Sequence, residues 1–143
     1  MRTIHTEVDV GAPAARVWAI LADFDGWAQW NPFARVKGRL GIGERLEVEI
    51  SLPDKSPMTF RPRIVKLEEG RELRWLGSLG VRGLFDGEHG FRVVPGDAGR
   101  CRFEQFESFR GLLVAPILWK IEATTRTGFR VMNRALKAKA ETG

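Results

Sequence analysis

The sequence predicts an α+β domain in two layers: a curved, seven-stranded antiparallel sheet closed over one long C-terminal helix, with two short helices between the first and second strands. Three observations predict it. Residues 2–10 alternate apolar and polar with period two, the mark of a half-buried strand. From Val36 to Phe109, strand-like segments follow one another at hairpin spacing, separated by turns rich in Gly, Pro and Asp. From about Leu113 to about Ala140, apolar residues recur at three- and four-residue steps.

The first strand turns Ile4, Thr6, Val8 and Val10 to one side and ends at Gly11. Ala12–Pro13 opens a short helix, since proline suits the first helical position. Val17, Trp18, Ile20 and Leu21 form its apolar side, and a further turn or two runs through Phe24, Trp27 and Trp30. Asn31–Pro32 ends it, because proline restricts the residue before it. Further strands are expected at 36–40, 45–52, 58–68, 72–77, 85–94 and 100–109. Pro116 is tolerated in the first turn of the last helix. About 25 residues of helix span roughly 37 Å, enough to cross a small sheet. A sheet of this size must twist and curl. A helix laid in its trough fills only part of it, and the remainder is expected to be a cavity.

The length of 143 residues suits one domain, 1–143, and is too short for two full cores. Five Trp and nine Phe with no Tyr give a pocket aromatic walls but no phenol to donate a proton. Cys101 is the one cysteine, which excludes an intrachain disulfide and a cysteine-based metal site. The N-terminus lacks signal-peptide character and no segment is apolar for long enough to span a membrane, so a cytoplasmic protein is expected. The net charge of +5 raises nucleic acid as a partner. The basic residues are scattered among acids, as with Arg61, Arg63, Lys66, Arg71 and Arg74 beside Glu68, Glu69 and Glu72. The cations near the end of the last helix complement its dipole, so no nucleic-acid partner is expected.

Three segments resemble the START/polyketide-cyclase superfamily, also called SRPBCC, which includes the birch-pollen allergen. They are VDVGAPAARVWAILADFDGWAQWNP near the start, LFDGEHGFRVVPGDAGRCRFEQFESFRGLL before the last helix, and TTRTGFRVMNRALKAKAE at the end. With the strand order they cover nearly the whole chain, and the branch most resembled holds small bacterial SRPBCC-domain proteins. The resemblance implies the helix-grip fold, with seven strands, two small helices and a ligand cavity. It does not imply one chemistry.

The last two strands carry the candidate site. Their odd positions, His89, Phe91 and Val93 with Cys101, Phe103, Gln105, Glu107 and Phe109, form the apolar set and should face inward. His89, Gln105 and Glu107 then face inward with them. One hairpin register sets His89 opposite Glu107 and Arg92 opposite Glu104; the other sets His89 opposite Gln105 and Phe91 opposite Phe103. Two readings stand for His89 and Glu107: a pocket-lining dyad able to move a proton or bind a polar ligand end, or two buried groups that satisfy each other. Trp75 on its own strand face, and Ile121, Thr125, Gly128 and Met132 on the helix, complete the expected lining. Trp18, Trp27 and Trp30 read as structural packing, Cys101 as a small core hydrophobe, His5 as a surface residue, and Arg61 and Arg63 as facing solvent.

No metal or cofactor site is visible: the two histidines lie on distant strands, and Gly41–Ile42–Gly43 lies between strands, not before a helix. The leading expectation is binding or transport of a small hydrophobic or lipid-like molecule. The alternatives are a cyclase, aromatase or dehydratase using His89 and Glu107, and a protein-interaction module. A homodimer is compatible with all three.

Overall fold

The computed structural model describes residues 2–52, 56–78 and 81–142. In chain order it has β1 (Arg2–Val10), α1 (Ala14–Ala22), a 3-10 turn (Phe24–Gly26), α2 (Trp27–Trp30), β2 (Ala34–Lys37), β3 (Glu47–Ile50), β4 (Met58–Phe60), β5 (Arg63–Glu68), β6 (Glu72–Ser78), β7 (Asp86–Pro95), β8 (Cys101–Arg110) and α3 (Val114–Thr142). The α+β class, the curved antiparallel sheet and the long C-terminal helix are as the sequence predicts.

The strands differ in number and grouping. Among the described residues, eight strands form a five-stranded sheet, ordered β1-β8-β7-β6-β5, and a three-stranded sheet, β2-β3-β4. The segment 58–68, expected as one strand, breaks at Arg61–Pro62. Proline has no N–H for a ladder, and the Pro62 carbonyl turns instead to accept from Leu46 N at 2.8 Å. A bridge from Arg45 to Arg63 joins the two sheets at this corner. β2 ends earlier than expected because Gly38, at φ +139°, leaves the extended region.

α3 packs mainly on β1 and β8, and the core it closes has two parts. The larger includes Val10, Val17, Trp18, Trp27, Trp75, Phe91, Phe103, Met132 and Leu136. The smaller holds Ile4, Phe85, Phe109, Val114, Leu118 and Phe129. Every element that crosses from one to the other carries a polar residue at the crossing: Thr6 between Ile4 and Val8 on β1, Gln105 and Glu107 between Phe103 and Phe109 on β8, His89 of β7 between Phe91 and Phe85, which directly precedes the strand, and Asn133 among Phe129, Met132 and Leu136 on α3. A polar belt thus divides the core. No helix of the described residues is long and apolar enough to cross a membrane.

Candidate functional site

The β7–β8 register sets His89 opposite Glu107 and Arg92 opposite Glu104. On the outer face Arg92 Nη1 donates to Glu104 Oε1 at 2.8 Å. On the inner face His89 contacts both of its candidate partners. Its Nε2 lies 2.9 Å from Gln105 Oε1, a hydrogen bond, and its Nδ1 lies 3.6 Å from Glu107 Oε1. The two registers weighed from sequence therefore each named a true neighbour. Extended side chains let His89 reach diagonally along β8 as well as straight across it.

Aromatic rings enclose the imidazole. Phe91 stacks on it with centroids 4.6 Å apart, Phe129 approaches from α3 at 4.9 Å, and Trp75 from β6 at 5.7 Å. Glu107 extends over Gly87 of β7, where any Cβ would overlap its carboxylate. The two side chains keep 17% and 20% of their surface exposed, whereas Gln105 and Asn133 are at 1%. The belt thus runs from the deep interior to a partly open end.

Burial sets the electrostatics. It pushes the Glu107 carboxyl up to about 7. It pulls the His89 imidazole down to about 4, against the raising effect of the Gln105 hydrogen bond. Near neutral pH His89 is uncharged, and Glu107 holds its proton far more readily than a free carboxyl does.

The expected lining is placed unevenly. Trp75, Phe91, Phe103, Phe109 and Met132 are buried on the inner faces. Thr125 and Gly128 are half-buried. Ile121 is a correction: it is 37% exposed. Its stripe fails because no residue of α3 between Leu118 and Phe129 is buried; this stretch covers the sheet least. Two concave regions stand out among the described residues, of about 270 Å³ beside Asp9 and Arg100 and about 440 Å³ among Arg45, Arg61, Arg63 and Arg82, and neither includes His89 or Glu107. Trp75, Phe91 and Phe129 instead pack directly against the imidazole.

Sequence reasoning missed three members of the site: Thr6, Phe129 and Asn133. Thr6 was on an inward face, and the step from Phe129 to Asn133 to Leu136 follows helical spacing, so both polar residues carried a positional signal. His5, Arg61 and Arg63 are exposed and Cys101 is buried, as expected. His5, Glu7 and Glu104 bring potential ligand atoms within 4.8 Å of one another on the outer face. Arg92 and Arg102 already hold Glu104 at 2.8 and 2.9 Å, so a cation there would have to displace two guanidinium groups.

A family model described as polyketide cyclase/dehydrase and lipid transport matches residues 1–141. The chain belongs to that family. No curated protein sequence matches it. Among solved structures it is similar to the ZhuI aromatase/cyclase from Streptomyces sp. R1128, at 20% identity and TM-score 0.78, with 98% of this chain and 93% of that one covered. It is also similar to the di-domain aromatase/cyclase BexL of the BE-7585A biosynthetic pathway, at 20% identity and TM-score 0.80; 99% of this chain covers 47% of that one, so the chain spans about half its length. Norcoclaurine synthase from Thalictrum flavum is similar at 16% identity and TM-score 0.73, with 96% and 84% covered. At these identities the likeness shows the helix-grip fold.

Proposed function

We propose that the chain binds a small, largely apolar molecule where the middle of α3 faces β6–β8, with His89 and Glu107 meeting its polar end. One observation carries this reading. A titratable pair, walled by aromatic rings, keeps partial access to solvent beside the least-covered part of the helix. Small-molecule sites are built this way, with apolar walls and a few placed polar groups. The family's description and its aromatase/cyclase neighbours support the same class of ligand.

A second reading, proton transfer in a cyclase- or dehydratase-type reaction, is favoured by Glu107 itself. A carboxyl held at about 7 can both give and take a proton near neutral pH.

Mass spectrometry of an extract of the denatured, freshly purified protein tests the binding reading, together with titration of 2-naphthol followed by tryptophan fluorescence. A stoichiometric apolar compound, or saturable naphthol binding lost in Trp75→Ala, is the expected result. An empty extract with no saturable binding overturns it. Glu107→Gln then separates the two readings: binding within a few-fold of the wild type marks a container, and turnover lost while binding survives marks an enzyme.

A further inference from the structure

The polar belt fixes more than the position of His89. Its hydrogen bonds begin on the backbone, where donor and acceptor are not interchangeable. Thr6 Oγ1 lies 2.9 Å from the Gln105 carbonyl oxygen. A carbonyl only accepts, so the Thr6 hydroxyl hydrogen is committed there. Asn133 reaches Thr6 Oγ1 at 2.9 Å and must therefore donate through Nδ2. Its Oδ1 then accepts from Gln105 Nε2 at 2.7 Å. A second carbonyl, that of Phe129, lies 3.4 Å from the same Gln105 nitrogen and independently requires a donor there. Turning the Gln105 amide over would set its oxygen against two oxygens. Gln105 Oε1 is thus fixed toward His89 Nε2 at 2.9 Å, and that ring nitrogen must carry the hydrogen.

We infer that Thr6, Asn133 and Gln105 are positioning residues that hold His89 as its Nε2–H tautomer, so that a bare Nδ1 faces Glu107 and the carboxyl stands as a neutral acid at the open end of the belt. An ionised Glu107 would set a carboxylate lone pair against the Nδ1 lone pair at 3.6 Å. A proton on Oε1 turns that repulsion into an O–H aimed at a nitrogen acceptor. The arrangement reverses the common one, in which imidazole donates Nδ1–H to a carboxylate. It also narrows the ligand. A polar end meeting an uncharged acid suits a ketone, aldehyde or enol oxygen and disfavours a carboxylate. Only this consequence rests on the proposed binding role.

Nitrogen-15 NMR of the imidazole nitrogens at pH 6 tests the inference, with His5→Gln used to separate the two histidines. The wild-type protein is expected to show His89 protonated at Nε2 and bare at Nδ1; protonation at Nδ1 overturns the inference. Gln105→Leu removes the acceptor, so both nitrogens should become partly protonated and the Glu107 titration midpoint should fall by about one pH unit or more. Wild-type tautomer and midpoint in Gln105→Leu would also overturn the inference, and the wild-type spectrum alone decides if that variant fails to fold. The tautomer is read without ligand. A protein with the expected tautomer that binds nothing sinks the binding reading and leaves this one standing.

Discussion

His89 and Glu107 are cross-strand partners that do not hydrogen-bond each other. Their nearest ring nitrogen and carboxylate oxygen stand 3.6 Å apart, while the opposite edge of the imidazole bonds Gln105 at 2.9 Å. The strand register makes the pair adjacent; the belt behind it decides which nitrogen faces the acid. Adjacency alone would have suggested an ion pair. Burial within rings of Phe and Trp favours two uncharged groups instead.

Stability should therefore depend on pH through two opposed slopes. Glu107, raised from 4.5 to about 7, binds its proton more tightly folded than unfolded. Its burial costs nothing below pH 4.5 and costs most above pH 7, where a buried acid must ionise. His89, lowered from 6.5 to about 4, does the reverse: its cost is full below pH 4 and gone above pH 6.5. Between about pH 4.5 and 6.5 the two nearly cancel. Glu107→Gln removes the first, so its stability should climb from pH 4 to 6.5. Relative to the wild type it should gain about 1–3 kcal/mol by pH 8. Urea denaturation at four pH values from 4 to 8 checks this. A difference between the two proteins that stays constant with pH would refute it.

Asn133 should be worth more than its size suggests. It is 1% exposed and bonds both Thr6 and Gln105. Asn133→Leu keeps the volume but strips partners from buried groups, at an expected cost of about 2–4 kcal/mol. Combined with Gln105→Leu the losses should fall short of additive by about 1 kcal/mol or more, because the second change removes a group the first had orphaned. Additive losses in chemical denaturation would show that the belt is a set of independent contacts.

Much of this was legible in the sequence. Alternation in β1, the hairpin spacing and the helical stripe give the architecture, and parity along β7 and β8 gives His89, Gln105 and Glu107 a common face. The register stayed open because the connecting segment 96–100 admits two closures. In the structure Gly96 N bonds Arg100 O and Arg100 N bonds Asp97 O, with Ala98 at φ +53°, which selects one. Ile121 was misplaced for a different reason. Periodicity says which side of a helix is apolar, but not how far the sheet extends beneath it. Thr6 and Asn133 escaped because each is polar among apolar neighbours, and their common role depends on a contact between chain ends that local patterning does not contain.

Phe106 shows the limit of parity on the outer face. It is 7% exposed although its position points away from the helix. Its ring lies across Gly90, its cross-strand partner, and the guanidinium groups of Arg74 and Arg92 cover it at 5.1 and 4.9 Å. An added Cβ at Gly90 would overlap the ring. Gly90→Ala should therefore expel Phe106 from beneath the arginines and cost about 1–3 kcal/mol. Phe106→Leu in the same background should recover part of it. No recovery in thermal or urea unfolding would mean that the backbone of β7, not the ring, resists the methyl.

Gly128 invites the opposite substitution. The nearest atom outside the local helix to a Cβ there is Phe33 Cε2 at 4.0 Å, an ordinary contact, so a methyl fits without displacement. Alanine in a helix interior is favoured over glycine by about 1 kcal/mol, so Gly128→Ala should raise the unfolding free energy by about 0.5–1 kcal/mol. A glycine kept at that cost, one residue before the Phe129 that packs on His89, needs another reason. Space for a ligand under the least-covered stretch of α3 supplies one. Gly128→Ala should then weaken 2-naphthol binding several-fold while stabilising the free protein, two changes of opposite sign in one variant. A methyl that stabilises the protein and leaves naphthol affinity untouched would place the ligand away from this turn, and with it the part of the site that α3 was proposed to form.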